Sequence, residues 1–194
     1  MGDSITDAGR REINVPWGLG YVSMVRDFIL ARYPGLQLTI LNRGARGDTT
    51  RDLLARWRSD VIAEQPDWLS LMIGINDVWR GFLGMPDEAV PLAEYAANLR
   101  GLLDQTQARL ILMTPYMIEA DRTHPMREAM DRYGEAVRAL APEYDAVVVD
   151  TQAAFDLALQ QTTSDYWAED QIHPNGPGHA IIALAFLRAA GFEL

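Results

Sequence analysis

Apolar residues along the chain fall into two alternating patterns. Val22, Val25, Ile29 and Tyr33 recur at helical spacing and stop at Pro34-Gly35. Leu36–Leu41 then reads as a strand. Leu53, Leu54, Trp57, Val61 and Ile62 mark a second helix, with Asp48 or Thr49 as its N-cap. Trp68–Ile73 is almost continuously apolar, as a strand covered on both faces should be. Leu92 to Leu103 predicts a helix and Leu110–Thr114 a strand. Met126, Met130, Tyr133, Val137 and Leu140 stripe another helix, and Ala146–Asp150 is the last strand. Pro177 opens a helix through Leu187, the first turn being where a proline is tolerated. Helices alternating with short apolar strands predict parallel strands joined by right-handed crossovers, an α/β/α sandwich of three layers. No repeat or linker divides the 194 residues, so residues 1–194 read as one domain.

In such sheets ligands bind beyond the carboxyl ends of the strands, which directs attention to the residues just after each apolar run. Composition narrows the chemistry further. The net charge of −10 disfavours a nucleic-acid partner and an anionic membrane surface. Without cysteine the chain has no disulfide, thiolate metal ligand or thiol nucleophile. No apolar run approaches the ~20 residues of a membrane span, and no leader pattern opens the chain, which reads as cytoplasmic.

Of five serines, Ser23 and Ser59 fall within helices, Ser70 lies inside a strand and Ser164 in the polar stretch TTSD. Only Ser4, in GDSIT, stands where a strand-to-helix turn would lie. A turn serine is usually structural. The histidines change that reading, because a serine hydroxyl becomes nucleophilic beside a base that a carboxylate orients. His173 lies three residues after Asp170, close enough for the carboxylate to reach Nδ1 and leave Nε2 for Ser4. His179, after Pro-Gly at a helix start, suits capping or packing, and His124 has no such carboxylate. Acyl transfer also requires donors for the developing oxyanion. NRGARGDTT offers Gly44 and Gly47, and GINDVWR offers the Asn76 amide, although glycines and Asn-Asp pairs after strands commonly only turn the chain.

GDSIT, the glycines before DTT, GIND and DxxHP occur in this order, one per α/β unit. The set resembles the SGNH, or GDSL-type, hydrolase superfamily over essentially the whole chain. That resemblance implies a flavodoxin-like sandwich with Ser4 as nucleophile, His173 as base and Asp170 as its orienting acid. It implies an oxyanion hole formed by the N–H groups of Ser4 and Gly47 and the Asn76 amide. It implies no metal or organic cofactor. The G-x-S-x-G elbow of α/β-hydrolases is absent. ARW (55–57), QPDW (65–68), GINDVWR (74–80), MTPY (113–116), PMREAMDRYG (125–134) and VDTQAAF (149–155) further resemble the branch containing intracellular bacterial acetylxylan esterases. That branch implies a small acetylated sugar as substrate and a homo-oligomeric assembly.

Asp3, Trp79 and Trp167 are the candidates for substrate contact; aromatic faces pack on pyranose rings. Trp57 and Trp68, inside periodic runs, are expected in the core. The competing activities are arylesterase, thioesterase or lysophospholipase chemistry at the same site. A catalytically silent carbohydrate-binding protein is the alternative from another class. In the resembled fold a central strand precedes the serine turn, yet only Met1 precedes Gly2. An empty central slot would hold its neighbours ~9.6 Å apart with unpaired backbone groups. The expectation is therefore a truncated first strand, with about ten more residues upstream in the natural chain, one short strand's length.

Overall fold

The computed structural model describes residues 1–193. Its elements in chain order are α1 (Ser4–Asp7), α2 (Tyr21–Arg32), α3 (Thr50–Trp57), β1 (Trp68–Met72), α4 (Ile75–Phe82), α5 (Leu92–Leu103), β2 (Arg109–Met113), α6 (Pro125–Leu140), β3 (Val147–Val149), α7 (Thr151–Ala158) and α8 (Gly176–Ala189). The strands form a parallel sheet in the order β1-β2-β3, with Leu69 opposite Leu110 and Ile111 opposite Val147. Helices α2, α7 and α8 pack together on one side, and α3, α5 and α6 on the other, giving the three layers. The core is built from side chains of every layer, with Leu53, Tyr95, Leu102, Met130, Phe155, Ile182 and Leu187 fully enclosed.

Local chemistry explains the helix starts. Thr49 caps α3 in a reciprocal box with Asp52, whose carboxylate accepts from the Thr49 N–H at 2.8 Å. At α8 the side chain of Asn175 accepts the Gly178 N–H at 3.0 Å, and Pro177 fills a first-turn position whose N–H would have no helical partner.

The expected strand at Leu36–Leu41 does not form. These residues lie outside the sheet, and Leu36, Leu38 and Leu41 are 45%, 37% and 47% exposed. An apolar run becomes a strand only where a neighbour accepts its backbone hydrogen bonds. Here the described pairing on that side is a single parallel bridge, Gly44 to Gly2. Gly2 is bridged on its other side to Met72, so Met1 and Gly2 occupy the central position of the sheet between the two segments. Met72 N–H donates to the Met1 carbonyl at 3.2 Å, and Ala45 N–H donates to the Gly2 carbonyl at 3.0 Å. The Met1 nitrogen donates to the Ser70 carbonyl at 2.8 Å, continuing the same pairing. Trp68 also departs from expectation: at the first position of β1 it is half exposed beneath the Arg109 guanidinium. Trp57 is enclosed, as its periodicity predicts.

Candidate active site

The two bridges at Gly2 organise the site. The chain leaving Gly44 runs along one side of the Gly2–Ser4 turn, and the chain leaving Met72 runs along the other. Gly47 follows on the first side and Asn76 on the second. Close approach requires glycine here, because a Cβ on Gly2 would collide with the Met72 carbonyl and the Thr6 side chain. Ser4 is the first residue of α1, whose cap is the Asp3 carboxylate accepting the Ile5 N–H at 3.0 Å.

The Ser4 Oγ lies 2.9 Å from His173 Nε2, and His173 Nδ1 lies 2.6 Å from Asp170 Oδ2. Ser4 and His173 are 169 positions apart in sequence, so their contact is a product of the fold. Asp170 Oδ1 also accepts the backbone N–H groups of Ile172, at 3.0 Å, and His173, at 2.8 Å. Burial pushes the Asp170 carboxyl up, but hydrogen bonds from the His173 ring and these N–H groups outweigh it and hold the carboxyl below its ordinary range. An ionised Asp170 keeps the proton on Nδ1 and leaves Nε2 free to accept from Ser4.

The loop carrying this pair is docked on the segment after β2. Ile118 N–H donates to the Gln171 carbonyl at 2.8 Å, and Tyr116 Oη to the Ile172 carbonyl at 3.3 Å. Gln152 of α7 grips the same segment, accepting the Met117 N–H and donating to its carbonyl.

On the opposite side, α4 supplies three side chains. Asn76 is buried and its Nδ2 donates to the Asp48 carbonyl at 2.9 Å, which leaves one amide hydrogen for a further acceptor. Gly47 has φ +79°, and among the described residues its N–H meets no protein acceptor. Trp79, half-buried, presents its ring edge-on to His173 with centroids 6.0 Å apart. Asp77 faces inward, accepting the Thr50 N–H at 3.0 Å and the Thr50 hydroxyl at 2.6 Å. Its burial raises the carboxyl to about 6, against the pull of those hydrogen bonds.

The other two candidates sit differently. Asp3, expected to meet substrate, is instead 1% exposed and caps α1. Burial, reinforced by the Asp77 and Asp48 charges and opposed by the Ile5 N–H, raises it to about 7. Trp167 stacks edge-on with Tyr166 and donates from Nε1 to Thr162 at 2.6 Å. Among the described residues it makes no hydrogen bond or ring contact with Ser4, Asp170 or His173. A cavity of about 360 Å³ lined by Thr163, Ser164, Asp165, Glu169 and Gln171 adjoins Asp170. His179 is a packing residue, as its position after Pro-Gly predicts: Nδ1 accepts the Tyr21 N–H at 3.2 Å, and burial, with the nearby His173, lowers it to about 4.

With this geometry in place, comparison with known proteins decides the family. Residues 1–181 match the model of the GDSL-like lipase/acylhydrolase family. The chain belongs to it. An acetylxylan esterase of Geobacillus stearothermophilus is 46% identical over 203 residues, spanning 100% of this chain and 93% of its own length. The structure of a catalytic mutant of that esterase superimposes with a TM-score of 0.96, covering 99% of this chain and 92% of its own. Catalytic mutants of that enzyme carry alanine for a serine, an aspartate or a histidine, the last two three positions apart, as Asp170 and His173 are. LAE5, a hydrolase from the metagenome of Lake Arreo, Spain, is 43% identical with a TM-score of 0.93, covering 98% of this chain and 92% of its own. This GDSL-like acylhydrolase is a carboxylic ester hydrolase with the α/β fold of those relatives.

Proposed function

We propose that the enzyme removes acetyl groups from acetylated xylo-oligosaccharides or closely related sugars through an acyl-enzyme on Ser4. The observation that carries this reading is the Ser4–His173–Asp170 relay at 2.9 and 2.6 Å. His173 Nε2 takes the Ser4 proton as Oγ attacks the acyl carbon. The oxyanion is met by the N–H groups of Ser4 and Gly47 and the free hydrogen of the Asn76 amide. The carbon–oxygen bond to the sugar breaks, the leaving alkoxide takes the proton from His173, and the acetyl group remains on Oγ. Water then attacks, giving its proton to His173, which returns it to Oγ as acetate departs. His173 thus serves every proton transfer in both halves of the reaction.

The 46% identity with an acetylxylan esterase and the surroundings of the relay support this choice of substrate. Trp79 beside His173 offers an aromatic wall for a pyranose, and the polar cavity beside Asp170 offers hydroxyl partners. No helix among the described residues is long and apolar enough to cross a membrane. The proposal includes a single-domain protein working in the cytoplasm as a homo-oligomer. Its experiment is acetate release from acetylated xylo-oligosaccharides, run beside p-nitrophenyl esters of increasing chain length. Release from the sugar with a steep fall beyond acetyl is expected. Preference for long acyl chains would replace this reading with a lysophospholipase or thioesterase.

A further inference from the structure

We propose that Arg80 is a positioning residue that anchors the Gly47 carbonyl, at the far end of the short segment carrying the Gly47 N–H, so that this N–H stays directed at the oxyanion. The inference rests on the acyl-transfer reading above and assigns it one more working part. Arg80 lies one helical turn after Asn76, on the same face of α4. Its Nη2 donates to the Gly47 carbonyl at 2.5 Å, and its Nη1 lies 3.4 Å from Glu88 Oε2. The guanidinium runs directly beside Gly47, where it is the one group that a Cβ would meet, at 3.7 Å.

Gly47 needs such a partner for a conformational reason. At φ +79° it occupies the left-handed region, and without a side chain its flanking peptides can rotate with little steric resistance. A rotated peptide would turn the N–H away from the developing charge, and a donor displaced by about 1 Å loses much of its effect. The neighbouring peptides are tied down separately. Ala45 N–H is held by the Gly2 carbonyl, and the Asp48 carbonyl by Asn76. The Asp48 side chain is held by Arg56 at 2.6 Å. The Asp48 N–H bonds back to the Ala45 carbonyl at 3.3 Å, and Arg80 takes the Gly47 carbonyl of that same peptide, so the Arg46–Gly47 peptide that carries the N–H is bracketed by held groups on both sides. One helix thus supplies an oxyanion donor at Asn76 and secures a second donor from the loop across the turn.

The experiment measures kcat and KM for p-nitrophenyl acetate in the wild type, Ser4→Ala, Arg80→Met and Arg80→Lys, together with binding of a boronic-acid transition-state analogue and thermal unfolding. Arg80→Met should lower kcat about 10- to 100-fold with KM within about twofold, and analogue affinity should fall in step with kcat/KM. Lysine, still a donor, should recover part of the loss. The pH dependence of kcat/KM should not move, since His173 is untouched. Should the methionine variant not fold, Arg80→Gln, too short to reach the Gly47 carbonyl, takes its place with the same expected loss. An unchanged kcat, or a raised KM at constant kcat, would overturn the positioning role alone. Turnover that survives Ser4→Ala would overturn the underlying esterase reading.

Discussion

Ser4 sits between two backbone segments that meet at Gly2, and the groups around it divide by burial. His173 and Asp170 are each 44% exposed at the side chain, where solvent and substrate can reach them, whereas Asn76 and Asp3 are enclosed. Asn76 commits one amide hydrogen to the Asp48 carbonyl, and the proposed mechanism uses the other. Asn76→Ala should therefore lower kcat by roughly 10²–10³ with a small change in unfolding midpoint. Steady-state kinetics beside calorimetry would check it, and normal turnover in a destabilised protein would mark Asn76 as a turn residue. Asp3 carries a different consequence. Its folded pKa of about 7 lies above the unfolded value near 3.8, so the folded state binds the proton more tightly. The favourable contribution is present in full below about pH 4 and is lost as pH rises through 7. Asp3→Asn keeps a capping oxygen but removes the titration. Relative to this variant, the wild type should lose stability between about pH 4 and 7, read by urea unfolding at a series of pH values. Parallel stability curves would show that the buried carboxyl is not perturbed.

Helix α4 is the element through which sequence pattern and site chemistry connect least visibly. GIND marks Asn76, but Trp79, Asp77 and Arg80 act on His173, Thr50 and Gly47, partners that no local spacing encodes. The sequence pattern assigns Arg80 no role; its contact with a carbonyl 33 positions away exists only after the sheet has brought α4 beside the Gly47 loop. The strand expected at Leu36–Leu41 illustrates the same limit. Its apolar pattern is intact, but strand formation is a property of the pair, and the partner segment contributes Gly2 alone. Elements whose stability is local are legible: α5 spans Leu92–Leu103 as its periodicity predicts, and Thr49 caps α3. Asp77 offers a test of the non-local links. Asp77→Ala orphans the Thr50 N–H and weakens the hold on α3, which should cost about 1–3 kcal/mol per unpaired buried group. Asp77→Asn retains one acceptor and should cost less. Urea denaturation of both variants checks this, and equal stability of the alanine variant would show that the α4–α3 link is dispensable.

At the scale of the whole molecule, the sheet gathers residues from the ends of the chain, Ser4 and His173, with two middle loops into one rim. The order of the motifs along the chain makes that legible in sequence, although only the Asn76 block directly follows a formed strand, β1. The surface left by the fold is not legible there, since it depends on which apolar runs find a partner. Leu36, Leu38, Leu41, Val15 and Trp68 are all at least 37% exposed. A second copy of the chain is the proposed cover, and light scattering at micromolar concentration should report a mass above one chain. A monomer would remove the homo-oligomer from the account.

The central claim is that the acyl group passes through Ser4 Oγ. Mixing the enzyme with an acetyl ester, quenching in acid during turnover and mapping peptides by mass spectrometry tests it most directly. The account predicts one acetyl group on the peptide containing Ser4, absent in Ser4→Ala, whose kcat should fall by several orders of magnitude. Ongoing turnover with no acetyl on Ser4, or acetylation at Ser70 or Ser164 instead, would contradict it.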